Sequence, residues 1–119
     1  MSILVVDDSS VMRKIVIRSI RQAGYGDYEV EQAEDGAEGL AKAKANPPKV
    51  ILSDWNMPNM SGLEFIQALR AEEIMIPFGF VTSESTSKQK VIGMAAGASF
   101  LLSKPFTADD LGDQLSRYL

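Results

Sequence analysis

Short apolar runs, each stopped by a polar residue, alternate along this chain with longer segments of helical period, and nothing else restricts its fold as much. Ile3-Leu4-Val5-Val6 halts at Asp7-Asp8. Val50-Ile51-Leu52 halts at Ser53-Asp54, Phe78 to Val81 at Thr82, and Phe100-Leu101-Leu102 near Lys104. A continuous β-branched or aliphatic run of this length reads as a strand buried on both faces. Residues 28–33 alternate instead, with Tyr28, Val30 and Gln32 set against Glu29, Glu31 and Ala33, as an edge strand does.

The intervening segments carry helix punctuation. Met12, Ile15, Val16, Ile20 and Ala23 recur at helical spacing, and Gly24 closes the segment. Arg13, Lys14, Arg18 and Arg21 lie largely off that stripe and are expected on a solvated face. Asp35 and Glu38 open a second helix that runs to Ala45 and is ended by Pro47-Pro48. Ser61 and Glu64 form a capping box ahead of Leu63, Ile66 and Leu69. In the fourth helix Val91, Met94 and Ala95 are expected to face inward, with Gly97 as the stop; Thr107 and Asp110 cap a last helix bearing Leu111, Leu115 and Tyr118. Five β-α units in succession predict an α/β fold with a parallel sheet covered on both faces. Right-handed crossovers favour the doubly wound order 2-1-3-4-5, a flavodoxin-like (βα)5 arrangement. One domain spanning residues 1–119 is expected, since the chain shows no internal repeat, linker or low-complexity segment.

Composition removes several functions. A formal net charge of −4 argues against general nucleic-acid binding. With no cysteine there is neither a disulfide nor a thiolate metal site, and with no histidine the commonest general base is missing. Any metal must be a hard one held by oxygen. The N-terminus lacks the basic region of a signal peptide, and no apolar stretch approaches the ~20 residues that span a bilayer, so a cytoplasmic protein off the membrane is expected.

In a doubly wound sheet, ligands bind beyond the carboxyl ends of the strands, at the switch in strand order. Strands 1 and 3 flank that switch, so Asp7, Asp8 and Asp54 should converge there, with Thr82 and Lys104 beside them. Singly, each residue has an ordinary explanation: Asp7-Asp8 as a helix cap, Asp54 as the start of a turn before Pro58, Lys104 as a surface lysine, Thr82 as a strand end. Their shared edge is what separates them from chance. Clustered carboxylates repel, and a bound cation relieves the repulsion. Mg²⁺ suits a site of few carboxylates and retained waters. One carboxylate could then act as a nucleophile toward phosphorus, a reaction that needs positioning and charge stabilisation more than a histidine base. Mg²⁺, Lys104 and Thr82 would contact the three equatorial oxygens.

The stretches Val5-Val6-Asp7-Asp8-Ser9, Asp54-Trp55-Asn56-Met57-Pro58, Met60-Ser61-Gly62, Val81-Thr82, Gly97-Ala98 and Lys104-Pro105-Phe106 resemble, in order and along essentially the whole chain, the receiver domain of bacterial response regulators. Ser53 to Met60 is most similar to the stand-alone chemotaxis members. The resemblance implies a two-component phosphoacceptor switch that catalyses only its own phosphorylation and dephosphorylation. Asp54 would be the phosphoacceptor. Asp8 would bind Mg²⁺ directly and Asp7 largely through water, with Asp54 and the backbone carbonyl of Asn56 completing the protein ligands. Thr82 would bond the phosphoryl oxygen and Lys104 would pair with it. The Lys104-Pro105 bond is expected to be cis, and Asn56 and Glu84 occupy the positions that tune dephosphorylation.

The implied partners are a sensor histidine kinase as donor and a downstream protein, in the chemotaxis version the flagellar motor switch, met through the face of helix 4, strand 5 and helix 5. A monomer is expected, acting by protein–protein contact because no output domain follows Leu119. The sequence departs from the family at Leu101, where a Tyr or Phe is usual. Phe100 is one residue earlier and, by strand period, on the opposite face. Thr82 is still expected to move on activation, with the signal leaving through that same face. Other readings are a relay receiver that hands its phosphoryl group to a histidine phosphotransfer domain, a receiver cut from a longer regulator, an Mg²⁺-dependent aspartyl-phosphate phosphatase, and an FMN carrier. Asn56 stands where the phosphatases place an acid/base aspartate, and no Ser/Thr/Gly-rich phosphate loop follows strand 1.

Overall fold

The computed structural model describes residues 1–119. Five strands, β1 (Ser2–Val6), β2 (Glu29–Ala33), β3 (Val50–Ser53), β4 (Phe78–Thr82) and β5 (Phe100–Ser103), form one sheet in the order β2-β1-β3-β4-β5, every pair parallel. The helices are α1 (Ser10–Ile20), α2 (Gly36–Ala45), α3 (Gly62–Ala71), α4 (Ser87–Ala95) and α5 (Ala108–Leu115). The expected architecture and strand order are those observed. The helix ends are built locally: Ser9, Asp35, Ser61, Thr86 and Thr107 each accept a bond from a first-turn backbone N–H. Beyond α1 the chain makes a further wide turn (Arg21–Tyr25), and Gly24, at φ 102, supplies the left-handed residue that ends it.

The sheet divides the core in two. On the α1/α5 side Ile3, Val5, Val50, Leu52, Val81 and Phe100 pack against Val16, Ile17, Ile20, Leu111 and Leu115. On the other side Leu4, Val6, Ile51, Phe78 and Phe80 pack against Phe65, Ile66 and Leu69. Strand alternation thus sends Phe100 and Leu101 to opposite layers, as the period requires. Phe100 lies over Gly79, its partner in register; a Cβ added there would fall 2.1 Å from the ring. It also stacks on Tyr118 at 5.8 Å between ring centroids.

Two helix faces differ from the sequence reading. In α1 the buried stripe is Arg13, Val16, Ile17 and Ile20, while Ile15 is exposed and Arg13 is not on the solvated face. The phase is rotated because the guanidinium of Arg13 finds acceptors inside, at the Asp7 carbonyl and Gln32 Oε1. In α4 the expected inward residues Val91, Met94 and Ala95 all face solvent, Val91 at 68% exposure, and Gly93 is the buried position. Bulky rings under α4 leave room there only for a residue without a side chain.

Candidate functional site

The site sits at the carboxyl edge of the sheet, between the two strands that flank the reversal in strand order. Register pairs Val6 with Ser53, so the next residues, Asp7 and Asp54, leave adjacent strands side by side. The Asp54 N–H donates to the Val6 carbonyl at 2.9 Å and the Asp7 N–H to the Ala33 carbonyl at 3.1 Å, which extends the ladder one residue and fixes both backbones. Asp7 Oδ1 accepts from the Ser9 N–H at 2.9 Å, and Ser9 caps α1, so the start of that helix and the aim of this carboxylate are set together. Asp8 is exposed. Carboxylate oxygens of Asp7, Asp8 and Asp54 all lie within 4.8 Å of one another.

Lys104 reaches this cluster from beyond β5. Its own N–H donates to the Thr82 carbonyl at 2.8 Å, and its Nζ stands 3.1 Å from Asp7 Oδ2 and 3.5 Å from Asp54 Oδ2. The Lys104-Pro105 peptide is cis, as expected. All three side chains are largely shielded from water, so the charges interact more strongly than surface ion pairs do. Burial is the largest influence on Asp54 and pushes its carboxyl above the ordinary range, with Asp7 adding to the rise. Lys104 and the Trp55 N–H oppose it.

Thr82 is buried at the end of the neighbouring strand, and its Oγ1 accepts from the Glu84 N–H at 3.1 Å. With that lone pair engaged, the hydroxyl proton remains available to donate. Asn56 is exposed two residues past Asp54, and its carbonyl accepts no bond from within the chain. Glu84 is exposed and accepts from Gln89 Nε2 at 3.2 Å, which ties the loop after β4 to α4.

The structure therefore gathers Asp7, Asp8, Asp54 and Lys104 into one cluster, with Thr82 at the end of the next strand. The donor set fits a hard cation: three carboxylates and a free carbonyl, all oxygen, around an edge that a single ammonium only partly neutralises. Asp7, Asp8, Asp54 and the Asn56 carbonyl could hold such an ion.

Sequence reasoning missed Arg13, whose guanidinium donates to the backbone carbonyl of Asp7. The signal was present, since residues 13, 16, 17 and 20 make a stripe of their own. It also missed the packing of Trp55, whose ring meets Phe80 at 4.5 Å between centroids while its N–H donates to Asp54 Oδ1 at 2.7 Å.

Residues 3–116 match the response regulator receiver domain. The chain is 39% identical to the chemotaxis protein CheY1 of Helicobacter pylori over 118 residues, covering 97% of this chain and 94% of that protein. Among solved structures it is similar to the chemotaxis response regulator CheY4 of Vibrio cholerae, with 42% identity, 99% and 98% of the two chains covered and a TM-score of 0.86. A receiver domain protein of Methanospirillum hungatei superposes with a TM-score of 0.85 at 28% identity, with 98% of this chain and 90% of that one covered.

Proposed function

The chain belongs to the response regulator receiver domain family, and from that premise we propose that residues 1–119 form one receiver that accepts a phosphoryl group on Asp54 and signals by protein contact. The observation that carries the reading is Lys104 Nζ set between Asp7 and Asp54, with a third carboxylate, Asp8, completing the cluster. A lysine in that position can follow the charge from the carboxylate to a phosphoryl group attached to it.

The chemistry follows from positioning. An Asp54 carboxylate oxygen attacks the donor phosphorus, forming an O–P bond as the P–N bond of a phosphohistidine, or the P–O bond of an acyl phosphate, breaks. The leaving group departs with the electron pair. Lys104 pairs with the incoming phosphoryl oxygens and Thr82 donates its free hydroxyl proton to one of them. Mg²⁺, held by Asp7, Asp8, Asp54 and the Asn56 carbonyl, would supply neutralisation of the phosphoryl charge. Arg13 acts at one remove, holding the backbone that aims Asp7. Asn56 and Glu84 border the route of the hydrolytic water and set how long the group persists.

The donor in this reading is a sensor histidine kinase. The target is a protein met through α4, β5 and α5; the likeness to chemotaxis proteins points to motor control. The exposed apolar residues Val91, Ile92 and Met94 on α4 support contact there. No helix is long and apolar enough to cross a membrane.

The test uses Trp55, the single tryptophan, beside Asp54. Mg²⁺ followed by acetyl phosphate should change its fluorescence and add one phosphoryl group by intact mass, and Asp54→Asn should abolish the mass gain. A folded protein that gains no mass would overturn the reading. Rapid hydrolysis of the group would fit motor control, whereas rapid transfer to a histidine phosphotransfer domain would identify a relay.

A further inference from the structure

Helix α4 touches the rest of the molecule in an unusual way. Of its nine residues Gly93 alone is buried. A Cβ added at Gly93 would lie 3.1 and 3.2 Å from ring atoms of Phe80 and 3.2 Å from Trp55 Cζ3, so the helix backbone rests on those two rings. The rings are themselves tilted against each other, with 35° between their planes. Each belongs to a residue tied to the site. Trp55 follows Asp54 and donates its N–H to the Asp54 carboxylate, and Phe80 precedes Thr82 by two on the same face of β4. Leu101, paired with Phe80 in register, puts no ring on this face of β5.

We propose that Gly93, seated on the Trp55–Phe80 ring pair, is the contact through which the state of Asp54 sets the position of α4. The inference rests on the phosphoacceptor reading. Phosphorylation turns the ionised Asp54 carboxylate into a mixed anhydride whose carboxyl carries no charge. The bond from the Trp55 N–H is charge-assisted before and neutral after, and charge-assisted bonds are roughly twice as strong. The hold on the Trp55 N–H weakens while the bond from the Gly62 N–H to its carbonyl stays, and its ring can settle differently against Phe80. A glycine contact passes even a small ring shift directly to the helix backbone, because no side chain stands between to absorb it. In this chain the route replaces an aromatic swing at position 101, and Trp55, Phe80 and Gly93 act as positioning residues.

Amide hydrogen exchange of residues 87–95, read with intact mass before and after acetyl phosphate and Mg²⁺, tests the proposal. In the unsubstituted protein exchange in α4 should change by about fivefold on phosphorylation, the low end of ordinary coupling between sites. Gly93→Ala should move α4 before any phosphoryl group is added and remove most of the further change. Phe80→Leu, which removes a ring beneath α4 and adds no atom to it, should leave the mass gain intact while blunting the exchange response, a split that a purely structural defect would not give. Trp55→Phe, which opens the same contact without adding an atom to α4, should also blunt the response and serves if Gly93→Ala does not fold. Phosphorylation of the unsubstituted protein with no change in α4 sinks the inference alone. So does a response in Gly93→Ala, Trp55→Phe or Phe80→Leu equal to that of the unsubstituted protein. No mass gain at all sinks the phosphoacceptor reading, and this inference falls with it.

Discussion

Helices α3 and α4 cover the same layer and begin the same way, yet they are held by different means. Each opens with a capping box, Ser61 with Glu64 in α3 and Thr86 with Gln89 in α4. Past the first turn they part. α3 buries Gly62, Phe65, Ile66 and Leu69, and Arg70 at its end donates to the Ile74, Ile76 and Gly97 carbonyls. α4 buries a glycine and turns its larger apolar residues outward. Each fully buried Leu, Ile or Phe contributes about 1.5–3 kcal/mol of transfer free energy, so α3 is anchored by its own side chains. α4 is placed by its caps and by the rings beneath it. The anchored helix keeps the loop from Asp54 in position, since Gly62 N–H donates to the Trp55 carbonyl at 2.8 Å. The lightly held helix is the one that can move.

The largest effect should come from the anchored side. Phe65→Ala should cost about 3–5 kcal/mol in denaturant unfolding, and a loss under about 1 kcal/mol would mean the two helices are not differently held. Next, Gly62→Ala should be disruptive well beyond its helix propensity. Its Cβ would meet the backbone carbonyl oxygen of Asp54 at 2.1 Å, and backbone cannot swing aside as a side chain does. A stability loss of about 1–3 kcal/mol and slowed phosphorylation by intact mass are expected.

The caps sharpen the comparison through pH. Ser61→Ala and Thr86→Ala should each cost their helix about 1 kcal/mol. In α3 this should appear in global unfolding, in α4 chiefly as faster amide exchange over 87–95. Glu64, bonded by the N–H and hydroxyl of Ser61, is held below the usual carboxylate range. A lowered folded pKa gives a contribution present above the unfolded pKa and lost as pH falls through the folded one. The cost of Ser61→Ala should therefore shrink in acid, while that of Thr86→Ala, whose partner Gln89 does not titrate, should not. Unfolding curves between about pH 7 and pH 3 decide this, that window bracketing the ordinary glutamate pKa.

Asp54 has the opposite sign. Its raised pKa means stability that is fully present below the unfolded pKa and lost as pH rises through the folded one. Without Mg²⁺, Asp54→Asn should thus melt higher than the unsubstituted protein at neutral pH, with the gain vanishing in acid; equal melting at pH 7 in EDTA would contradict it. The smallest effect is expected at Val91→Ser, within about 0.5 kcal/mol. A larger loss would show that α4 is packed after all.

Much of this molecule was legible in its sequence because the signals were local. The runs halting at Asp7, Ser53, Thr82 and near Lys104 specify strands by composition, and the caps between them specify helices. Parallel connectivity then forces the polar residues after each strand to one edge. The cluster of Asp7, Asp8, Asp54 and Lys104 followed from that rule alone. Three features did not follow. Arg13 is inside because Gln32 and the Asp7 carbonyl, remote or turned back in the chain, offer it acceptors. Phe100 has its place because Gly79, on another strand, vacates it. Val91 and Met94 face water because Trp55 and Phe80 fill the space beneath α4 first. Periodicity tells which residues of a helix share a face, and it is a property of the segment. Which face turns inward depends on the volume and hydrogen-bonding groups of elements far away in sequence, and only the assembled tertiary structure brings those together.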